Sequence, residues 1–433
     1  MSPEMAGVAG LIALIVLMML RVPVGIAMIA VSAVGSLYIL RPASVFFTLG
    51  SNPFATASMY SLSVIPMFVL MGMFVALAGF GKDLYAFAHG LVGRFRGGLA
   101  MATVAASGMF SAVSGSAVAT ASTMASVALP EMRRFRYDEG LAAGCTAVGG
   151  TLGILIPPSS ILVLYGVLTE EPIGRVLVAG IVPGIMTTLL LMTTAYLVAR
   201  FKPELAPLAE RREDEPDLWR ALRRTWPIPT IFAISMGGIY QGVFTPTEAG
   251  AVGAFLCLLM GIITRRLSWS GALEATTRSV QITATIFLIT IGGKLFGFFL
   301  ALTRIPHHLT AFVEGLDVSP ALTVAIIFAI YFALGAFMDE IAILVIMTPI
   351  TYPIVTALGY DGIWFGVLTI MMLLTGLLTP PVGMICFVVA SVSKTPLQTV
   401  FRSVTPFWIT LIVAAALVIA FPSLALYLPG LMR

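Results

Sequence analysis

The sequence predicts an all-α polytopic membrane protein, and composition is the first reason. Of 433 residues, 59% are hydrophobic and only 10% are charged, whereas soluble proteins carry roughly 25% charged residues. At about 20 residues per spanning helix, the chain can hold on the order of a dozen membrane segments. No soluble catalytic or nucleic-acid-binding domain fits beside them. The net charge of +4 is therefore expected to mark the cytoplasmic side of a membrane rather than to bind nucleic acid.

An internal repeat is the second reason, and prolines set its register. Five prolines each have a partner 223 positions later, and Gly153 and Gly376 share this offset. The pairs are Pro23 and Pro246, Pro130 and Pro353, Pro157 and Pro380, Pro158 and Pro381, and Pro183 and Pro406. So many matches at one offset predict two copies of one unit. We place the copies at residues 1–200 and 226–433, joined by a cytoplasmic linker at 201–225.

Each copy is predicted to cross the membrane five times. The expected spans of the first copy lie near residues 5–20, 23–40, 55–80, 138–166 and 174–199. Those of the second copy lie near residues 226–244, 247–264, 273–303, 362–392 and 403–428. Because five is an odd number, the second copy must be inverted relative to the first, as in many transporters.

Residues 97–132 and 320–355 are 36 residues long in each copy, too long for one span and too short for two. Basic residues flank the first stretch on both sides, which places both of its ends on one side of the membrane. We therefore predict that each stretch is a re-entrant helical hairpin. An amphipathic helix at 82–96 is expected along the cytoplasmic surface, with a counterpart at about 305–317 on the outer surface.

The distribution of basic residues gives the orientation. With both termini in the periplasm, the cytoplasmic side receives every Lys and Arg except five. Arg41, Arg175, Arg304 and Arg433 fall outside, and Lys294 falls within a span. The opposite orientation would contradict the excess of positive charge that cytoplasmic loops carry.

Helix-breaking residues inside apolar segments mark the candidate binding site of the first copy. In lipid, broken helices are tolerated only where protein or a cavity satisfies the backbone, and transporters bind ions and substrates at such breaks. The hairpin tip and the broken span 138–166 supply the candidate sodium ligands Ser114, Ser116, Gly149, Gly150, Thr151, Gly153 and Pro157. Ser114, Gly115, Ser116 and Pro158 are also candidates for substrate binding. The alternative for the small residues of the tip is close helix packing.

The second copy repeats the plan with different residues. Its candidate sodium ligands are Asp339 at the tip and Thr375, Gly376, Thr379 and Pro380 in the broken span 362–392. Met338, Asp339 and Pro381 are candidates for substrate binding. A carboxylate at membrane depth is a functional candidate by default, although Asp339 could equally cap the second helix of the hairpin.

Lys294 lies about ten residues, or about 15 Å at helical rise, from the outer flank at Arg304. We favour a structural pairing with Glu340 or Asp339 in the interior, and the alternative is that Lys294 attracts an anionic substrate or replaces a cation. Phosphate-loop and metal-binding motifs are not found, and Cys145, Cys257 and Cys386 are predicted to be small buried hydrophobic residues. We therefore predict no ATP hydrolysis, no organic cofactor and no enzymatic activity.

Several stretches carry a likeness to a known family. They are SGSAVATASTMASVALPEM at 114–132, GGTLGILIPPSS at 149–160, FTPTEAGAVGA at 244–254, FMDEIAILVIMTPI at 337–350 and LLTPPVG at 377–383. Along essentially its whole length, the sequence resembles the large membrane subunit, of the DctM type, of tripartite ATP-independent periplasmic (TRAP) transporters. Glu340 and Lys294 depart from the neutral residues expected at these positions.

The resemblance implies an elevator-type secondary transporter of the bacterial inner membrane that takes up organic acids with a sodium gradient. It implies three partners besides membrane lipid: a small four-helix subunit of the DctQ type, a periplasmic solute-binding protein and a small carboxylate substrate. One sodium ion would lie between each tip and its broken span, with the substrate between the tips. Alternatives are a stand-alone sodium/dicarboxylate symporter without a binding protein and, in a different class, an ion channel.

Overall fold

The computed structural model describes residues 2–207, 218–315 and 319–432, and these residues form helices without any β-strand. Arg433, linker residues 208–217 and residues 316–317 of the expected outer helix lie outside the described residues.

Eleven α-helices occupy the described residues of the first predicted copy. They are α1 (Pro3–Met19), α2 (Val24–Ile39), α3 (Pro42–Ala57), α4 (Val64–Leu77), α5 (Phe80–Val92), α6 (Gly98–Ser114), α7 (Ala117–Arg134), α8 (Glu139–Thr151), α9 (Ser160–Thr169), α10 (Ile173–Ala179) and α11 (Ile181–Phe201). Short 3₁₀ turns cover Tyr60–Ser63, Leu152–Ile154 and Pro203–Leu205.

Eleven more α-helices follow in the described residues after the gap in the linker. They are α12 (Leu218–Thr225), α13 (Pro227–Tyr240), α14 (Pro246–Ile263), α15 (Trp269–Thr303), α16 (Ile305–Gly315), α17 (Pro320–Gly335), α18 (Glu340–Ala357), α19 (Gly362–Gly376), α20 (Met384–Ser393), α21 (Leu397–Ala420) and α22 (Ser423–Gly430).

Local sequence explains where many of these helices begin. Ser116, Asp138 and Ser159 cap α7, α8 and α9 by accepting a hydrogen bond from a backbone N–H of the first turn. Thr245 and Glu248 form a capping box at the start of α14, where each side chain bonds the backbone N–H of the other. Such side chains satisfy N–H groups that have no partner inside the helix, and each cap stabilises it by about 1 kcal/mol.

The helices have the length and composition of a multi-pass membrane protein. Among the described residues, six helical stretches are long and apolar enough to cross a membrane. They are Tyr60–Leu77, Ile173–Phe201, Pro246–Ile263, Trp269–Thr303, Glu340–Ala357 and Leu397–Ala420. Large apolar side chains on the outside of the protein, such as Phe46, Phe47 and Phe54, would be covered by lipid.

Some elements differ from the predicted spans. The helix α3 is not among the predicted spans, because Gly50, Ser51 and Pro53 interrupt its apolar pattern although the helix continues through them. The expected span at 403–428 is divided, since α21 ends at Ala420 and Pro422 precedes the separate helix α22. Proline lacks the N–H that helix continuation requires, which accounts for this end.

Two pairs of helices fold back on themselves within the stretches 97–132 and 320–355. Only Gly115 and Ser116 separate α6 from α7, whereas residues 336–339 connect α17 to α18. In the second pair, Tyr331 and Thr351 hydrogen bond through their hydroxyl groups at 2.9 Å. At the 223-residue offset α6, α7 and α8 match α17, α18 and α19, whereas α3 and α4 match the single helix α15. The inverted repeat and the re-entry from one membrane face stay predictions.

The first halves of the two broken spans form the centre of the protein. Every residue of α19 is buried, and so is every residue of α8 after Glu139. The helix α8 packs against α6, α7 and α21, and α19 packs against α17 and α21. The first break, which follows α8, therefore lies deep inside the protein next to the first hairpin tip, whereas the second break is exposed at Pro380, Pro381 and Val382.

Candidate functional site

The tip of the first hairpin lies directly against the first break. Gly115 has a left-handed backbone with φ +61°, and a Cβ atom on it would lie 2.5 Å from the carbonyl oxygen of Pro158. A Cβ atom on Gly153 would overlap the carbonyl group of Ser116. Ser160 Oγ donates a hydrogen bond of 3.1 Å to the Gly115 carbonyl oxygen. Glycine at positions 115 and 153 thus allows the two backbones to touch.

Hydroxyl groups of this tip make local hydrogen bonds. Ser114 Oγ lies 2.7 Å from Thr120 Oγ1, which links the two helices of the hairpin. Ser116 Oγ accepts a hydrogen bond of 3.4 Å from the backbone N–H of Ala119. A hydroxyl oxygen has two lone pairs, so these oxygens keep capacity for a further ligand.

Part of the stretch predicted to be unwound is helical. Gly149, Gly150 and Thr151 belong to α8, so the irregular backbone begins only after Thr151. A Cβ atom on Gly149 would overlap Ser107 of α6, and one on Gly150 would lie 2.5 Å from Ala121 Cβ of α7. These two glycines allow α8 to pack closely against both helices of the hairpin.

The second tip contacts the second break in a similar way. The backbone N–H of Val382 donates a hydrogen bond of 3.2 Å to the carbonyl oxygen of Ala336. A Cβ atom on Gly335 would lie 2.8 Å from the Cα atom of Gly376. Thr375 and Gly376 are helical, at the end of α19, which corrects the prediction that this part of the span is unwound.

Thr379 is held within the second break by two hydrogen bonds. Its Oγ1 donates to the carbonyl oxygen of Thr375 at 3.0 Å and accepts from Trp408 Nε1 at 2.9 Å. The Pro157–Pro158 and Pro380–Pro381 peptide bonds are both cis. Sequence reasoning did not identify Trp408, which comes from α21.

Asp339 caps α18, since its Oδ1 accepts a hydrogen bond of 2.9 Å from the backbone N–H of Ala342. The structure thus contains the capping interaction, and the binding of an ion by the same carboxylate stays a prediction.

A cavity of about 90 Å³ lies between the two hairpin tips. The first tip contributes Ser114, Gly115 and Ser116, and the second contributes Glu340 and Ile341. The first break contributes Ile154, the start of α9 contributes Ser160 and Ile161, and α7 contributes Ala119. Helices α4 and α15 complete the wall with Phe68, Val69, Gly72, Met73, Ile282 and Ile286.

Three helix N-termini meet at this cavity. Ser116 precedes α7, Ser160 begins α9 and Glu340 begins α18, and all three residues line the cavity. The free N–H groups and the positive dipole end of a helix N-terminus favour an anion. Among the described lining residues, the only charged side chain is that of Glu340.

Several predicted site residues lie outside the lining of this cavity. The cavity wall does not include Met338 or Asp339, although they directly precede Glu340 in sequence. It also does not include Pro158 or Pro381, which belong to the two breaks. Pro157 instead lines a separate apolar cavity of about 320 Å³ between α6 and α11.

The predicted pairing of Lys294 with Glu340 or Asp339 is wrong for this structure. Among the described residues, Lys294 makes no ion pair. Glu340 is only 8% exposed, and its Oε2 atom is buried without a hydrogen-bond partner in the described part of the chain. The physical reason is the position of Lys294 on α15, because it lies closer to the C-terminal end of this helix than Ile282 and Ile286, which share the cavity with Glu340.

Sequence reasoning missed residues from outside the hairpins and breaks. Gly72 of α4 lies against the first tip, and a Cβ atom there would lie 2.5 Å from the Ser114 carbonyl oxygen. Nothing in the apolar sequence of α4 or α15 distinguishes Gly72 or Ile286 from other packing residues. Ser160 did carry a signal, since it follows the tandem prolines and stands in the stretch GGTLGILIPPSS.

An all-α membrane protein whose helical hairpins and broken helices enclose a small cavity has the architecture of a membrane transporter. The model of the family described as “Tripartite ATP-independent periplasmic transporter, DctM component” matches residues 11–424, and the chain belongs to this family. The family consists of transporter permeases, and the protein is not an enzyme.

Similar proteins with assigned substrates support the family. The chain is 36% identical over 378 residues to the C4-dicarboxylate TRAP transporter large permease protein DctM of Pseudomonas aeruginosa, covering 87% of this chain and 88% of the relative. It is 34% identical to the sialic acid TRAP transporter large permease protein SiaM of Vibrio cholerae, covering 86% and 87%. It is 29% identical to the isethionate TRAP transporter permease protein DctMQ of Oleidesulfovibrio alaskensis, covering 97% and 66%.

A solved structure has the same overall fold. The Alcanivorax borkumensis YdaH transporter superposes with a TM-score of 0.62 over 90% of each chain, at 13% sequence identity. This likeness concerns the fold alone.

Proposed function

We propose that this protein takes up a small organic acid across the bacterial inner membrane by sodium-coupled secondary transport. The observation that carries the proposal is the meeting of three helix N-termini at the cavity between the hairpin tips. Backbone N–H groups at helix N-termini can hold a carboxylate without a basic side chain. The relatives named above carry a C4-dicarboxylate, sialic acid and isethionate in their names, and all three are anionic compounds.

Sodium would bind where each tip meets its break. Hard cations such as sodium prefer oxygen ligands, and unwound carbonyls with Ser or Thr hydroxyls supply them in transporters. The Ser116 and Thr151 hydroxyls would supply ligands at the first contact, and Asp339 and Thr379 would supply them at the second. Sodium would order the tips against the breaks and so complete the anion site, which couples the two ligands through a shared structure.

Transport would require the hairpins and broken spans to move together against the remaining helices. In this elevator-type mechanism the cavity between the tips would open to each side of the membrane in turn. A small four-helix membrane subunit and a periplasmic solute-binding protein would complete the transporter. This assignment rests on the membership in a tripartite family.

Uptake into proteoliposomes that contain the chain with its small subunit tests the proposal. A binding protein and labelled succinate, N-acetylneuraminate or isethionate are added outside the vesicles. We expect one of these compounds to be taken up, and its uptake to require an inward sodium gradient. Ser116→Ala combined with Thr151→Ala should raise the sodium concentration for half-maximal uptake. The matched control is Ser122→Ala with Thr146→Ala, since these hydroxyls lie on the same two helices and make similar local hydrogen bonds, but more than one helical turn away from the tip and the break.

Three results would contradict the assignment. Unchanged sodium activation in the Ser116→Ala, Thr151→Ala variant would exclude the proposed ligands. Uptake at full rate without the binding protein would favour a stand-alone sodium/dicarboxylate symporter, and single-channel currents would indicate a channel.

A further inference from the structure

Two ionisable side chains inside the membrane-spanning region form no ion pair with any residue that the structure describes. Lys294 is half-buried in α15 and forms no ion pair with any described residue. Glu340 is buried at the second tip, and its Oε2 atom has no hydrogen bond in the described part of the protein. Burying a charge without a partner is costly, so two opposite charges left unpaired in one region require an explanation.

The contacts between α15 and α18 define how these residues are related. A Cβ atom on Gly293 would overlap Val345, and one on Gly297 would lie 3.7 Å from Pro349 Cγ. Both contacts join residues that are 52 positions apart, so the two helices run in the same direction. In this register Glu340 lies level with position 288, in agreement with the cavity wall that it shares with Ile286.

Lys294 therefore lies six residues further along α15 than the level of Glu340. At a rise of 1.5 Å per residue this separation is about 9 Å along the helix axis. The surface of α15 that faces α18 between these levels includes Gly293, which presents no side chain to oppose a movement along the helix.

We propose that Lys294 and Glu340 form an ion pair in a second state of the transporter, in which α18 has moved by about 9 Å along α15 towards Thr303. The proposal rests on the moving hairpins of the proposed function, and it adds a specific contact between the moving part and the fixed helix. In the predicted orientation Thr303 is the outer end of α15, so the pair belongs to the outward-facing state.

The pair would stabilise that state relative to the one described here. Two states that differ by one buried ion pair change their populations when either partner is removed, because the remaining charge is left unpaired. A bound ligand is the alternative partner for Glu340, and the second experiment below separates the two.

Cysteine cross-linking tests the movement without requiring transport. In a variant with Cys145→Ser, Cys257→Ser and Cys386→Ser, we expect Lys294→Cys with Glu340→Cys to be joined by Hg²⁺ in membranes that contain the assembled transporter. Ile286→Cys with Glu340→Cys is the control pair for the state described here, since both residues line one cavity. Cross-linking of the control pair alone, under all sodium and substrate conditions, would overturn the proposal even if sodium-coupled uptake is confirmed.

Charge exchange tests the ion pair itself. We expect Lys294→Glu and Glu340→Lys each to lower uptake by at least about tenfold, since like charges meet in the second state. The double exchange should restore uptake to within a few-fold of the wild-type rate. If a single variant fails to fold, Glu340→Gln should show the loss and the added Lys294→Met should relieve it. Well-folded double variants as inactive as the single ones would show that Glu340 acts on a ligand and would overturn the pair.

Discussion

At the scale of single residues, Gly115 has two separate reasons to be glycine. Its backbone is left-handed, and the Pro158 carbonyl oxygen occupies the space where a side chain would begin. Gly79 has a similar φ of +69° but no heavy atom within 4 Å of its Cβ position. A side chain at Gly79 would therefore meet backbone strain alone, whereas a side chain at Gly115 would meet both backbone strain and steric overlap.

We expect Gly115→Ala to destabilise the protein more than Gly79→Ala does. Gly79→Ala should cost about 1 kcal/mol for the left-handed backbone alone, whereas Gly115→Ala adds a clash that must separate the tip from the break. Thermal unfolding of the purified variants in detergent measures the difference. Equal melting temperatures would show that the tip does not depend on this contact.

Asp339 gives a second prediction at this scale, because a cap and an ion ligand respond differently to substitution. Asp339→Asn should keep stability, since asparagine caps helices as well as aspartate does, but it should weaken sodium activation of uptake because the charge is lost. Asp339→Ala should lose the cap as well, at a cost of about 1 kcal/mol. Equal sodium dependence in wild type and Asp339→Asn would leave Asp339 with the capping role alone.

At the scale of elements, α5 is attached to the loop between α14 and α15. Arg266 forms an ion pair with the mostly buried Asp83, and its guanidinium lies 5.1 Å from the centre of the Phe80 ring. A helix lies near the segment expected at 82–96, but it begins at Phe80 and ends at Val92. Its buried residues include Phe80 and Leu84, whereas Leu91 is exposed.

Removing Arg266 should loosen this attachment. Arg266→Ala leaves the Asp83 carboxylate without its partner and removes the contact with the Phe80 ring, so we expect a loss of roughly 1–3 kcal/mol. Arg265→Ala is the neighbouring control, because Arg265 is exposed and makes no ion pair among the described residues. Limited proteolysis and thermal unfolding would detect the change, and identical behaviour of both variants would refute the structural role of the pair.

At the scale of the whole molecule, the predicted orientation can be measured directly. The three native cysteines are buried, so single cysteines introduced elsewhere can be labelled against a low background. In intact cells whose outer membrane has been permeabilised, a membrane-impermeant maleimide should label Ser2→Cys but not Lys202→Cys. Lys202→Cys should react only after the inner membrane is opened, and its labelling in intact cells would reverse the topology.

The sequence by itself determined the helical membrane class, the 223-residue register and the glycines and prolines at which backbones approach and helices end. These features depend on local chemistry, since apolar composition, missing N–H groups and absent side chains act within a few residues. The sequence also indicated Ser114–Ser116 and the second tip as parts of the binding site. The sequence predicted that the backbone is unwound from Gly149 and from Thr375, but the helices continue through Thr151 and Gly376. The reason is that buried helices tolerate glycine where close packing requires it.

Only the tertiary structure decided which groups meet. The cavity combines two tips, one break and two helices that are remote in sequence, and no local pattern marks Gly72 or Ile286 as part of its wall. The same holds for Lys294 and Glu340, which the sequence suggested as partners and the structure separates. Whether two charges are paired depends on the register of one helix along another, and that register is fixed by packing between distant segments rather than by the residues beside each charge.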